Sequence, residues 1–343
     1  MATKHISIFK IDFHQAAVET IDHTTLTTDF DEYLTGLIAI MTQGRTGRSF
    51  IFERETTEVR GQIKDIIEDK DFATIANTIA NRLLNSEQTA QEQMAKMGVE
   101  IQRGIIVLAV ITDDGADKFI ICKADHNEFL EDTKFTKSRG LPIKKKVFKG
   151  FICSLNSDQT VSDILVCDSH QTKYWWKDFL ELKPVHSNED NTQNAFDAID
   201  KGVLVKLKKK HPQDYMHLSN SNVRYFRGTV NFDINECLEQ VFGNYQPFDP
   251  KLKIDKLKSE VRALAKKANA PFDEQFAITK NQIRKRFIKD IPLTAQIELH
   301  FKEEVPNLES VVTAEQGADG TKYVKVKSEQ GYQYFSNRQT DTN

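Results

Sequence analysis

The segment TKFTKSRGLPIKKKVFKG, residues 133–150, carries seven Lys or Arg side chains (Lys134, Lys137, Arg139, Lys144, Lys145, Lys146 and Lys149) and no acid, in a chain whose net charge is -3. A one-sign stretch repels itself unless a polyanion or an acidic surface meets it. Long cations at loose spacing suit the neutralisation of phosphates, which asks for reach more than for fixed geometry. Three further clusters offer the same chemistry: Lys206, Lys208, Lys209 and Lys210 with His211; Lys251, Lys253, Lys256, Lys258, Arg262, Lys266 and Lys267; and Arg284, Lys285, Arg286 and Lys289. Any one of them alone reads first as a solvated face, but four together in a near-neutral chain weigh toward a polyanionic partner. The first candidates for phosphate contact are Lys144, Lys145, Lys146 and Lys149. Lys134, Lys137 and Arg139 lie in the same loop, and Lys208, Lys209, Lys210, Arg262 and Lys266 are in support.

Other chemistry is thinly represented. Tyr225 and Phe226, between Arg224 and Arg227, could stack on unpaired bases, but VRYFRGTVNF alternates as a strand does, and core packing explains it more simply. Asp113, Asp114 and Asp117 with Lys118 are the residue types of a metal-dependent nuclease, yet they form a DDG turn. His5, His14 and His23 have no metal-ligand spacing, and the phosphate-loop, dinucleotide, zinc-protease and serine-hydrolase motifs are absent. The residues therefore point to no cofactor, no metal and no catalytic group. A composite nuclease site assembled by the fold stays open as an alternative.

The elements that must hold these residues divide the chain in two. Ile6–Phe13 alternates as a half-buried strand, Phe30–Met41 has helical spacing, and Phe50–Phe52 is a short strand. Gln62–Met97 is helical with one or two breaks. Ile105–Ile111 and Lys118–Lys123 form a hairpin around Asp113-Asp114-Gly115. Val147–Leu155 and Asp163–Cys167 form a second, and the basic segment joins the two. The segment YWWKDFLEL closes the block as an amphipathic helix. Residues 1–185 thus read as an α+β domain, an antiparallel sheet with flanking helices. Residues 186–343 read as mainly helical (Thr192–Leu207, Ile234–Phe242, Lys251–Asn269 and Phe272–Ile288) and end in a small β element from Ile297–Phe301, Tyr323–Lys327 and Gly331–Phe335.

Composition sets the remaining bounds. Residues 1–100 hold 10 basic against 16 acidic side chains and the rest 37 against 34, so partners are read from local clusters and not from net charge. The N-terminus lacks the pattern of a secretory signal, and no apolar run reaches the ~18 residues that span a membrane. Cys122, Cys153, Cys167 and Cys237 are scattered and read as reduced thiols, which suits the cytoplasm. The apolar helices and YWWKDFLEL, if left uncovered, would favour a homodimer.

The order RGIIVLAVIT, DKFIICKAD, the basic loop, GLPIKKKVFKGFICSL, DILVCDS and YWWKDFLEL resembles the bacterial 37-kDa nucleoid-associated protein family. Phe13-His14 after the first strand, and IELHF followed by DGTKYVKVK, are similar to that family as well. The chain differs from it in having fewer spaced acidic residues near the C-terminus and a more polar tail. The resemblance implies a cytoplasmic, nucleoid-associated protein that binds DNA without doing chemistry on it. It carries over no active-site residue. Relatives of this shape near defence genes extend the implication to phage resistance.

The reading that results is a non-enzymatic α+β protein that binds DNA with little sequence preference, with no membrane contact. The alternatives are an interaction component of an anti-phage defence or regulatory complex, in which the basic loop docks an acidic protein partner, and the composite-site nuclease.

Overall fold

The computed structural model describes residues 2–22, 24, 27–43, 46–96, 98, 100–131, 133–143, 148–168, 172–266, 270–284, 290–294, 296–301 and 308–339. The chain forms two compact units, residues 1–286 and 287–343. The position near residue 185 at which the sequence suggests a boundary lies inside the first.

The first unit opens with strands β1 (Ala2–Asp12) and β2 (Ala17–Thr20), helix α1 (Thr28–Gln43), β3 (Arg48–Phe52) and helices α2 (Glu58–Ile67) and α3 (Phe72–Ala95). Strands β4 (Gly104–Asp113), β5 (Ala116–Asp125), β6 (Asn127–Leu130), β7 (Lys137–Gly140), β8 (Phe148–Leu155), β9 (Val161–Cys167) and β10 (Leu182–Pro184) follow. Eight of the ten strands make one antiparallel sheet in the order β10-β3-β9-β8-β5-β4-β1-β2, and β6 pairs with β7. The chain is α+β, as its hairpins and helices suggest.

The sheet is covered on both faces, which accounts for the unbroken apolar run in β4. Ile106, Leu108 and Val110 face α2 and α3, whereas Ile105, Val107, Ala109 and Ile111 face α1. Both faces must be apolar when both are buried, so strict alternation is lost. At the β4–β5 turn Asp114 and Gly115 both adopt positive φ (51° and 79°), the two-residue turn that matches strand twist. Gly104 is required for a different reason, since a Cβ there would meet the Ala124 carbonyl oxygen at 2.1 Å.

Tyr174–Phe179 is a π-helical turn. Three of its aromatics, Tyr174, Trp175 and Phe179, are buried with Leu180 in the core that α3 shares with the sheet, and Trp176 is half-buried against it. Most of the aromatic surface in this segment whose exposure would favour a dimer is therefore covered by the chain itself. Arg82 of α3 holds the turn by donating to the carbonyl oxygens of Phe179 (2.8 Å) and Asp178 (3.1 Å).

The helical part of this unit comprises α4 (Asn188–Gly202), a 3-10 turn (Leu204–Leu207), α5 (Pro212–Gly228), β11 (Asn231–Asp233), α6 (Ile234–Phe242), α7 (Ile254–Ala265) and β12 (Gln275–Ala277). Two expectations are corrected here. VRYFR belongs to α5, where Asn222, Val223, Tyr225 and Phe226 fall on the buried face of a helix. Phe272–Ile288, expected to be helical, instead holds β12 and a short 3-10 turn (Lys280–Gln282) before the described residues stop at 284. Contacts distant in sequence decide that segment. Asp273 accepts from Ser49 N (2.9 Å) and from Asn191 Nδ2 (2.8 Å), and Glu274 N and Gln275 N both donate to the Gly47 carbonyl. Phe232 stacks on Phe276 with 4.5 Å between ring centroids.

The second unit contains two hairpins, β13 (Asp290–Pro292) with β14 (Glu298–His300) and β15 (Val312–Gln316) with β16 (Lys322–Val326), together with helices α8 (Leu308–Val311) and α9 (Glu329–Gln339). Gly331–Phe335, expected as a strand, lies in α9.

One polar cluster sits inside the core. Lys123 of β5 has no exposed surface, and its ammonium lies 2.6 Å from Glu87 of α3, 3.1 Å from Asp125 and 2.7 Å from the Gln102 carbonyl oxygen. The two partners respond differently. Burial pushes the Glu87 carboxyl above its usual range against the pull of Lys123. For Lys123 burial is outweighed by Glu87 and Asp125, so the ammonium is retained between two carboxylates. Removing one member of such a group strands the others. Glu87→Ala is expected to lose about 3–5 kcal/mol, and Glu87→Leu with Lys123→Met to recover most of that, read by urea denaturation.

His126, just past β5, provides a second test. Burial, followed by repulsion from Lys10 and smaller contributions from Lys123 and Arg139, holds its pKa below 6.5 despite the attraction of Asp125. The folded chain then binds this proton more weakly than the unfolded chain. The contribution is intact above pH 6.5 and is lost as pH falls through the lower folded value. His126→Gln is expected to reduce the stability lost between roughly pH 7 and 5 in thermal unfolding curves.

Candidate nucleic-acid interface

The basic candidates fall into two groups that the fold treats differently. The first begins at the end of β5, where β6 and β7 form a separate two-stranded ribbon, here called the arm. Its register pairs Glu128 with Arg139, Phe129 with Ser138 and Leu130 with Lys137. The tip is closed by two backbone bonds: Phe135 N donates to the Glu131 oxygen (2.8 Å) and Glu131 N to the Thr136 oxygen (3.0 Å). Lys134 and Lys137 are exposed and have no ion-pair partner among the described residues. Arg139 donates through Nε (3.0 Å) and Nη2 (2.8 Å) to one oxygen of Glu128, which spends part of its capacity inside the arm.

Lys144, Lys145 and Lys146 lie outside the described residues. Lys149 departs from the role expected of it. It is 13% exposed, sits 3.3 Å from Asp125 and 5.9 Å from the Tyr174 ring centroid, and so belongs to the buried cluster around Lys123.

The second group surrounds the 3-10 turn. Leu204 and Leu207 are buried and anchor it, while Lys206, Lys208, Lys209 and Lys210 are all exposed. The turn is fixed by Lys208 N to the Val205 oxygen (3.1 Å), Lys210 N to the Leu207 oxygen (3.1 Å) and His211 N to the same oxygen (2.7 Å). Among the described residues no acid pairs with any of these four lysines. His211 itself is held 3.0 Å from Asp249.

Packing of Leu264 against Gly202, 3.9 Å from where a Cβ would stand, puts the C-terminal ends of α4 and α7 side by side. Exposed Lys266 follows directly after α7. The lysine turn and Lys266 thus share one end of the helical part. Cations there complement the partial negative charge of the helix C-termini, which lets them gather without mutual repulsion dominating. Arg262 points elsewhere and donates to Asn235 Oδ1 of α6 at 2.9 Å.

The alternatives find less. Tyr225 and Phe226 are 3% and 0% exposed and cannot stack on a base. Asp113 pairs with Lys118 and Asp117 with Lys4, and among the described residues no group of three His, Cys, Asp or Glu could hold a metal ion. A 720 Å³ groove beside α3 is lined mainly by neutral groups, among them Asn77, Asn81, Asn85, Ser86 and Thr89. Its Arg82 is committed to the π-turn carbonyls and to Glu58.

What the sequence reading missed is the apolar character of the arm. Phe129, Leu130 and Phe135 are 51, 65 and 76% exposed, and Ile143, just past the arm, is 81% exposed. The signal available was that NEFLEDTKFT has apolar residues with neither helical nor strict strand period.

No helix of the described residues is long and apolar enough to cross a membrane. No curated protein matches the chain at a significant level. A family model described as nucleoid-associated protein YejK matches residues 7–319, a span that takes in the sheet apart from the first residues of β1, the arm and the lysine turn. The chain belongs to this nucleoid-associated protein family.

Proposed function

We propose that this protein binds DNA non-enzymatically in the cytoplasm, through phosphate neutralisation and with little sequence preference. The observation that carries the reading is the lysine turn: four exposed ammonium groups within five residues, Lys206–Lys210, none paired with an acid among the described residues, beside Lys266. Side chains of this kind position a duplex without reading its bases. Membership of a nucleoid-associated family supports the same reading. The basic segment that begins at the tip of the arm, with Lys134, Lys137 and the run Lys144–Lys146, supplies a second zone of like charge.

Salt dependence tests both zones. Each neutralised phosphate contributes close to ~0.9 to the slope of log affinity against log salt. Lys208→Ala, Lys209→Ala and Lys210→Ala in one chain are expected to flatten that slope by roughly two to three and to weaken binding equally on unrelated sequences, read by fluorescence anisotropy on duplex DNA. Thermal stability should be nearly unchanged, since exposed unpaired charges contribute within about 0.5 kcal/mol.

The Lys144→Ala, Lys145→Ala, Lys146→Ala chain is expected to lower the slope by a similar amount, roughly two to three. A wild-type slope in both chains would take these lysines out of the DNA site, and an absence of DNA binding by the wild-type chain at low salt would remove DNA from the reading. It would leave an acidic protein partner, which a pull-down that loses its partner in the same variants would identify.

A further inference from the structure

We infer that the arm is a DNA-inserting ribbon and that Phe135, at its tip, wedges between stacked bases. This rests on the proposed DNA binding and gives it a second, apolar mode of contact. Four observations converge on the tip. β6 pairs only with β7, and each of its four residues is exposed, so the ribbon is not part of the sheet's packing. Phe135 is 76% exposed, although nothing in solvent rewards a bare phenyl ring there. It also holds φ at 54°, the left-handed region that bulky side chains avoid and that hairpin tips usually give to Gly or Asn. Lys134 and Lys137 flank it with no ion-pair partner among the described residues.

A strained, exposed aromatic ring between unpaired cations matches one surface chemistry, an apolar slot bordered by negative charge. A base step in duplex DNA has that character, with a stacked apolar interior between two phosphate rails. Apolar side chains on minor-groove proteins enter such steps and kink the duplex. The dimensions are compatible. Four residues of extended strand reach about 13 Å, and the minor groove is about 7.5 Å deep. The sequence before the tip carries Glu131 and Asp132, but from Thr133 to Gly150 it carries no acid, so the returning side of the arm is not repelled by phosphate. A protein groove would accept the ring, but it gives no reason for the flanking cations to be left unpaired. Insertion costs least at flexible pyrimidine–purine steps, so the preferred ligand is duplex DNA rich in such steps, or DNA with a mismatch.

The test uses the full chain on a duplex with 2-aminopurine at a central TA step and a donor–acceptor pair on its ends. The wild-type chain is expected to raise 2-aminopurine fluorescence and shorten the end-to-end distance. Phe135→Ala is expected to keep the wild-type salt slope, to bind roughly five- to tenfold more weakly, and to lose both optical signals. Phe135→Trp should restore them. Phe135→Gly separates folding from function, because glycine relieves the left-handed strain. Its melting temperature should hold or rise while the optical signals vanish.

Equal unstacking by Phe135→Ala and the wild-type chain overturns the wedge and leaves the proposed DNA binding in place. No binding by the wild-type chain at low salt overturns both. A wild-type dimer that Phe135→Ala converts to a monomer in light scattering also overturns the wedge, since the ring would then belong to a contact between two copies.

Discussion

The Lys123 ammonium, with no exposed surface, is the constraint around which the first unit is arranged. A lone charge at that depth is untenable, so its surroundings must deliver compensating acids. Glu87 brings α3 to the sheet and Asp125 fixes the end of β5. Lys149, opposite Lys123 in the β5–β8 register, shares Asp125 from the next strand. Tyr174 places the π-turn against the same group, its hydroxyl 3.5 Å from Glu87. One ionic cluster thus sets where a helix, two strands and the π-turn meet. The apolar contacts around it would tolerate small slides that the cluster does not.

The same cluster clamps the root of the arm. The arm leaves directly after Asp125, and the chain re-enters the sheet at β8, whose second residue is Lys149. The Asp125–Lys149 ion pair joins the outgoing and returning strands at 3.3 Å. On its outgoing side the arm is therefore rooted next to a buried polar anchor within the sheet.

The sequence made the sheet legible and the anchor illegible, for the same physical reason. Burial on both faces wrote long apolar runs into β4 and β5, and the DDG turn fixed their register. Against that background Lys123 in IICKAD looks like one polar residue at a strand end, because the partner that buries it, Glu87, is 36 residues earlier in a helix whose pattern is ordinary. Helix and strand were confused where local preference and tertiary contact disagree. The aromatic and β-branched content of VRYFR suits a strand, but its buried positions are three and four apart once α5 packs on its neighbours. Phe272–Ile288 has an acceptable helical pattern that Gly47, Ser49 and Asn191 override by hydrogen bonding to its backbone and to Asp273.

The basic residues show most clearly why composition alone stops short of a site. Lys149, Arg139 and Arg262 are the same residue types as Lys208, Lys209 and Lys210, and the sequence ranked Lys149 among the first. The fold separates them by what they already touch. Lys149 is held by Asp125, Arg139 by Glu128 and Arg262 by Asn235. The lysines of the 3-10 turn touch no acid among the described residues and stand where two helices end. A cation already paired in the native state must give up that partner before it can meet a phosphate, whereas an unpaired one exchanges only water and loosely held ions. A chain of net charge -3 can therefore still present a local cluster of unpaired cations, the kind of surface that attracts a polyanion.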